Sequence, residues 1–414
     1  MLDIDYIREH TDEVIANCKN RNISVNLDEL VRLDKERRAK VSEIDALRAQ
    51  RNEGSKGKPS PEDIARLRTL GDSITSQEHA LVAVESQYRE LMLKVPNRTH
   101  PQSPIGGEDA FVVLEQSGTP RSFDFTPRDH EDLLVSQGLL DFERATKVAG
   151  SKFYFVQGDM VRLNHALLQY GMDVVSPYGY QLIETPDLAR DEILMGIGFN
   201  PRGPETQVYS IENSDLSLIG TAEITMGGYH AGEILDLSQG PKKYLALSHC
   251  FRTEAGAYGR ESRGLYRVHQ FTKLEMFIFC TPEQSEELHE EMKIIECKLA
   301  EGLGFAYRVI DIPTGDMGGP AYRKYDVEAW MLMKNGYGEI TSTSNCTDYQ
   351  ARRLNIRHRT ESGTTEFVHT LNGTAVNTSR WPLAIVENNQ NADGSITIPE
   401  VLRPYMSGRE VLGR

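Results

Sequence analysis

In the stretch Phe251–Phe277, FRTEAGAYGRESRGLYRVHQFTKLEMF, arginines, an aromatic ring and carboxylates recur at strand spacing. A period of two places Arg267, His269, Phe271, Lys273, Glu275 and Phe277 on one face of a strand. Arg252 and Glu254 share a face on the strand before it. Guanidinium groups could hold phosphates there, the ring could stack on a flat base, and a carboxylate could take an ammonium group. A hairpin with one wet face, common in antiparallel sheets, has the same pattern. Spacing alone leaves both readings open.

The elements that must position these residues can be read on either side. Lys243–Arg252 (KYLALSHCFR) and Tyr266–Cys280 are rich in strand formers. Between them Gly256, Gly259 and Gly264, set among charges, read as a polar loop. Strands and helices mix along the chain without a βαβ rhythm, which argues against a Rossmann-type parallel sheet. No G-x-G-x-x-G follows a strand and no G-x-x-x-x-G-K-[ST] occurs. Any phosphates must therefore be held by arginines.

The N-terminal quarter has a different character. After a short helix marked by Ile4, Ile7, Val14 and Ile15, residues 27–95 read as two helices. The second carries a 3-4 repeat: Leu67, Leu70, Ile74, Gln77, Leu81, Val84, Tyr88, Leu91 and Val95. The first is weaker, with Leu27, Leu30, Val41, Ile44 and Leu47 as its apolar positions. Gly54–Pro61 (GSKGKPSP) must interrupt them. An antiparallel hairpin results, an arm roughly 50 Å long at 1.5 Å per residue. Arg32–Arg68 holds 11 Lys/Arg against 7 Asp/Glu in a chain whose net charge is -15, so the outer arm is the basic part of an acidic protein. A solvated coiled coil and a nucleic-acid-binding arm both fit that imbalance. Asn97–Asp109 (NRTHPQSPIGGED) reads as a linker.

Composition sets outer limits. The 414 residues, 39% hydrophobic and 26% charged, suit a large core plus one further unit. No apolar run approaches the ~20 residues that span a bilayer, and the N-terminus lacks a signal-peptide pattern, so a cytoplasmic location is expected. The five cysteines (Cys18, Cys250, Cys280, Cys297 and Cys346) form no C-x-x-C pair, which argues for reduced structural thiols and against a cysteine-rich zinc site.

F-R-x-E-A-G followed by G-L-Y-R-V-H-Q-F-x-K-x-E-M-F closely resembles the second signature motif of class II seryl-tRNA synthetases. Other segments agree. Leu163–Val175 with Gly179–Pro186 (GYQLIETP) resembles the first motif, and Gly220–Ile224 (GTAEI) the serine-binding T-x-E loop. Asp311–Asp326 and Gly338–Arg353 resemble the segment that supplies metal and ATP contacts. Leu371–Tyr405 resembles the third motif and tail, with Asn377-Thr378-Ser379 and Trp381-Pro382 as departures around Arg380. The H-I-G-H and K-M-S-K-S pair of class I synthetases is absent.

The resemblance implies an α+β protein: an N-terminal antiparallel coiled-coil helical hairpin, then a class II catalytic domain built on an antiparallel sheet flanked by helices. Residues 1–100 would be a tRNA-binding domain with its arm at about 27–95. Residues 101–414 would be catalytic, with motifs near 164–186, 243–277 and 371–390. The implied reaction activates L-serine with ATP to seryl-adenylate, then transfers the seryl group to the 3′ end of tRNA(Ser); tRNA(Sec) stays open as a second acceptor. Arg252, Glu275 and Arg380 would be catalytic. Thr221, Ala222, Glu223, Arg252, Glu275, Asn372 and Thr374 would bind serine. ATP would lie on Arg252, Thr253, Glu254, Arg267, Val268, Phe271 and the run Glu339, Ile340, Thr341, Ser342, with Phe271 and Arg380 on either side of the adenine. Glu339 and Ser342 would ligate Mg²⁺. On the arm, Lys35, Arg37, Arg38, Lys40, Arg48, Arg51, Lys56 and Lys58 would meet tRNA. The family forms homodimers and needs no membrane. Two alternatives are a class II-like ligase that passes an aminoacyl-adenylate to a carrier protein or small molecule, and a non-catalytic paralogue. The basic arm counts against the first, and Arg252, Glu275, Glu339 and Arg380 count against the second.

Overall fold

The structure, a computed structural model, describes residues 1–56, 60–199, 207–254 and 264–413. The chain divides into two compact units, Met1–Arg98 and Thr99–Arg414.

The first unit is helical. Short helices Ile4–Glu9 and Thr11–Asn20 precede two long ones, α1 (Leu27–Gly54) and α2 (Pro61–Lys94). The Asn26 side chain caps α1 by accepting from the Glu29 N–H, and Ser60 with Asp63 forms a capping box on α2, with Pro61 at its first position. The break is therefore shorter than Gly54–Pro61, because those two residues end one helix and begin the next. Every seam position from Leu67 to Val95 is at least half-buried. In α1 the core positions are Leu27, Leu30, Leu33 and Ile44, whereas Val41 is 38% exposed. The α1 seam is partly polar: Lys40 donates to Gln77, and Gln77 donates to Glu43. Asp34 is fully buried and held by Arg8, Arg37 and Arg38.

The second unit is built on an eight-stranded sheet. Its strands are β1 (Val112–Ser117), β2 (Gln181–Glu184), β3 (Lys242–Phe251), β4 (Gln270–Cys280), β5 (Tyr307–Asp311), β6 (Arg323–Met331), β7 (Gly336–Thr347) and β8 (His369–Asn377). Their order is β1-β5-β6-β7-β8-β4-β3-β2, antiparallel throughout except for the parallel β2–β3 pair. Helices α3 (Asp159–Val175), α4 (Ala222–Tyr229), α5 (Ser285–Gly302) and α6 (Arg380–Asn388) pack against the sheet.

Next to the site the sheet is covered on both faces, so the pair of strands is not a hairpin with one wet face. Along β4, Leu274, Met276 and Ile278 enter the larger core, which also contains Leu163 and Leu167 of α3, Met292 and Ile295 of α5, and Leu383, Ala384 and Val386 of α6. On the opposite side Phe277 and Phe279 join a second core with Ile224 and Met226 of α4. Phe277 is thus fully buried, although it shares the period of the polar residues. Between the apolar ends of that face, Phe271, Lys273 and Glu275 line a cavity.

Candidate active site

The cavity has a volume of about 870 Å³ and opens over β4, β7 and β8. Arg252, Glu254, Arg267, Phe271, Glu339 and Arg380 line one set of walls, and Thr221, Glu223, Glu275, Asn372 and Thr374 another.

Strand geometry places the second set. Glu275 and Thr374 are cross-strand partners, and the Thr374 hydroxyl donates to Glu275 Oε2 at 3.2 Å. Asn372, two residues earlier on β8, falls on the same face and donates from Nδ2 to Glu223 Oε1 at 3.0 Å. Gln350 donates to the same oxygen at 2.7 Å. Thr221 is the N-cap of α4, its hydroxyl accepting from the Glu223 N–H, so one residue both starts the helix and aims the carboxylate after it. Desolvation, then the nearby Glu275 carboxylate, push Glu223 up to about 7.

The first set depends on three local devices. Arg252, just beyond β3, lies over the Phe271 ring at 5.2 Å and donates from Nε to the Gly220 carbonyl. This leaves its terminal nitrogens for ligand oxygens. Glu254 has φ +48, a left-handed backbone rare outside glycine, and accepts from Arg267 at 3.4 Å. The exit of the following loop is pinned from behind. The Leu265 N–H donates to His130 Nε2, so Nδ1 carries the proton and donates to Glu387 at 2.8 Å. A Cβ on Gly264 (φ +61) would lie 2.1 Å from that imidazole.

The third device is a bulge in β7. Thr341 pairs with Val327 and Glu339 with Glu328, so Ile340 is one residue too many. In a regular strand Glu339 and Ser342, three apart, would face opposite ways; the bulge lets both line the cavity. Glu339 pairs with Arg380. Against the desolvation of its surroundings, Arg380 and Lys324 hold the Glu339 carboxyl well below its usual range. An ionised carboxylate and a hydroxyl on one wall suit a hard cation such as Mg²⁺, with water and phosphates as its other ligands. Among the described residues no group of three or more His, Cys, Asp or Glu could hold a metal by itself.

Several expected residues lie elsewhere. His269 does not line the cavity; its Nδ1 approaches the Arg252 carbonyl at 2.8 Å and its carbonyl accepts from the Arg252 N–H. Ala222 is fully buried in the second core, and the Thr253 N–H donates to the Gln207 carbonyl. Neither side chain reaches the cavity. The Thr341 hydroxyl turns to the other side of the sheet, onto Glu296 and the Thr374 carbonyl, leaving only backbone for a ligand. Arg380 lies 4.7 Å over Tyr266, while Phe271 carries Arg252. The Asn377 departure caps the Arg380 turn: its Oδ1 accepts from Arg380 N, and its Nδ2 donates to the Ile340 carbonyl, which also accepts from Trp381. The change beside Arg380 is therefore a brace between α6 and β7.

Sequence reading gave no role to Lys273, Gln350, Tyr266 or Asn377. Two of them carry a signal: Lys273, two residues before Glu275 on one strand face, and Asn377, a departure beside Arg380. On the arm, Arg37 and Arg38 are tied to Asp34, and Arg48 to Asp45 and Glu78. Lys40 meets Gln77, whereas Lys35, Arg51 and Lys56 are exposed. Lys58 lies outside the described residues, as does the loop glycine pair Gly256 and Gly259.

Residues 1–99 match the seryl-tRNA synthetase N-terminal domain, and residues 207–389 the tRNA synthetase class II core domain (G, H, P, S and T). The chain is 51% identical to a serine–tRNA ligase of Rubrobacter xylanophilus, over 100% of this chain and 99% of the relative. It is 50% identical to that of Treponema denticola, over 98% of each. Among solved structures it is similar to the seryl-tRNA synthetase from Pyrococcus horikoshii complexed with ATP, with TM-score 0.90, 36% identity and coverage of 100% and 99%.

Proposed function

The chain belongs to the seryl-tRNA synthetase family, and from that premise we propose how its own residues divide the work. As a serine–tRNA ligase it joins L-serine to ATP as seryl-adenylate and passes the seryl group to tRNA. The serine carboxylate is already ionised at neutral pH, so activation needs no general base. It needs charge cancellation between an anion and a polyanion, and in-line placement.

Arg252, anchored through Nε, bridges the serine carboxylate and the α-phosphate with its terminal nitrogens. Arg267 holds the outer phosphates, and Glu254 accepts from the adenine amino group. Phe271 and Arg380 take the two faces of the adenine, which requires Arg252 to leave the ring and Arg380 to move off Tyr266. Mg²⁺, held by Glu339 and Ser342, would supply charge neutralisation of the phosphates. Glu223, Glu275, Thr221, Asn372 and Thr374 bind the serine ammonium and hydroxyl. A site built for a hydroxyl rejects alanine because its polar groups would be left unpaired.

The observation that carries this reading is the convergence of Glu223 and Glu275 with Arg252, Glu339 and Arg380 in one cavity. ATP–pyrophosphate exchange measured with each of the twenty amino acids tests it. Serine alone should give strong exchange; equal exchange with alanine, threonine or glycine would remove the serine subsite.

Three finer assignments belong to the same proposal. The arm binds tRNA(Ser), and tRNA(Sec) remains a second candidate acceptor. The protein is a homodimer: the parallel pair leaves β2 at the sheet edge with Leu182 53% exposed, suited to pairing with a second copy. Light scattering that gave a monomer mass in an active micromolar sample would exclude it. The location is cytoplasmic; among the described residues no helix is long and apolar enough to cross a membrane.

A further inference from the structure

Lys273 is a cation buried in the wall of the cavity, 5% exposed. Its Nζ lies 2.5 Å from Glu275 Oε2 and 2.7 Å from Thr221 Oγ1. Those two acceptors come from different elements, β4 and the start of α4, and one ammonium sets them side by side. A buried lysine is unfavourable unless paired, so this geometry has a strong hold on its neighbours.

We propose that Lys273 is a positioning residue for amino-acid selection, fixing Glu275 as an acceptor and Thr221 as a donor next to each other. The Thr221 oxygen accepts twice, from the Glu223 N–H and from Lys273. Its one remaining capacity is to donate its own proton. Glu275 Oε2 accepts twice as well, from Lys273 and Thr374. Among the described residues no donor reaches Oε1, so the carboxylate still requires one. A hydroxyl is the small group that donates and accepts at once. It fits between an obligate donor and an obligate acceptor, whereas a methyl group leaves both unmatched.

Lys273 acts through these two residues rather than on the reacting atoms. Other titratable or charged groups around it are Glu223 at α4, Cys250 on β3 and Arg252 beyond β3. None of them can replace a donor shared by Glu275 and Thr221. The inference rests on the serine-subsite reading above, and the experiment separates the two.

The full-length chain is compared with Lys273→Met, which keeps an unbranched chain and removes the ammonium. Pyrophosphate exchange is measured with serine and with alanine. The serine KM should rise at least about thirtyfold, the scale of a lost charged hydrogen bond, while the ATP KM stays within about twofold. The serine-to-alanine ratio of kcat/KM should fall at least about tenfold. A merely structural role would raise both KM values together and preserve the ratio, and that result overturns the inference. If Lys273→Met does not fold, Lys273→Arg decides. It keeps the charge, but its longer planar fork presents donors at a different spacing from a single ammonium, so Glu275 and Thr221 are no longer held as Lys273 holds them and the ratio should fall there too. An unchanged ratio in that variant also overturns the inference. Failure of the wild-type chain to prefer serine would instead defeat the subsite reading itself.

Discussion

Arg380 Nη1 lies 2.9 Å from Glu339 Oε2 and 3.2 Å from the carbonyl of the same residue. The first residue of α6 is thereby clamped to the bulged segment of β7, with Tyr266 beneath its guanidinium. The carboxylate assigned to the metal and the guanidinium assigned to the adenine are one unit in the free protein.

Glu339→Gln should therefore damage more than metal binding. The amide keeps the shape but removes the charge that faces Arg380 and Lys324. Exchange turnover should fall by about a hundredfold, comparable to the loss of one preorganised electrostatic partner. The Mg²⁺ concentration for half-maximal rate should rise, and the serine KM should change little. Equal loss in the serine and Mg²⁺ titrations would point to a collapsed pocket.

A second expectation concerns pH. Glu223, raised to about 7 from its ordinary carboxylate value, is mostly protonated in the free protein at pH 6. Binding the serine ammonium favours its ionised form, so serine binding near pH 7 should release a proton. Affinity should climb as pH rises toward 7 and level off above it. For folding the sign is opposite. A raised carboxyl favours the folded state below its ordinary value, and that contribution is lost as pH rises through about 7. Calorimetry in buffers of different ionisation heat measures the proton release, and Glu223→Gln should abolish the pH dependence.

Arg252→Lys should be severe although the charge is kept. The Nε–Gly220 anchor and the bidentate fork both disappear. Turnover for exchange should drop at least about a hundredfold. A lysine variant with near-normal turnover would show Arg252 to be structural.

The cavity was legible in the sequence where strand period alone decides the face, and less so where a local device intervenes. Phe271 and Glu275 obey simple alternation on β4, whereas Arg252 and Glu254 lie beyond the end of β3, where the expected strand gives way and Glu254 takes a left-handed backbone. Glu339 and Ser342 break the alternation: only the bulge at Ile340 brings them to one wall, and no composition signal marks it. Phe277 shows the converse, keeping the period but leaving the cavity, because α4 covers that end of the strand. Gln350 reaches Glu223 across 127 positions, a pairing that depends on tertiary packing. On the arm, the α2 seam repeats strongly enough to be read directly. The α1 seam is part ionic, so its buried Asp34 looks like a surface charge in the sequence.

That buried Asp34 shapes the test of the arm. Reversing Arg37 and Arg38 would strip its partners and leave an uncompensated buried charge, which typically costs several kcal/mol. Such a variant would confuse lost folding with lost tRNA contact. Lys35, Arg51 and Lys56 are the better targets, since all are exposed and none has a carboxylate partner among the described residues. Changing these three to Glu should leave ATP–pyrophosphate exchange and helix content near wild type, because none belongs to the unit that carries the cavity residues. Charging of tRNA should weaken, and the slope of its affinity against salt should flatten as fewer phosphate counterions are released. Replacing Leu27–Val95 by a short Gly/Ser linker is the stronger form. Residues 99–414 have their own core, so adenylate formation should persist while transfer collapses. Normal charging by the armless chain would make the arm a spacer. Loss of both steps in a folded armless chain would make the arm part of the catalytic architecture. Adenylation kept with transfer lost is the outcome that assigns tRNA affinity to the hairpin.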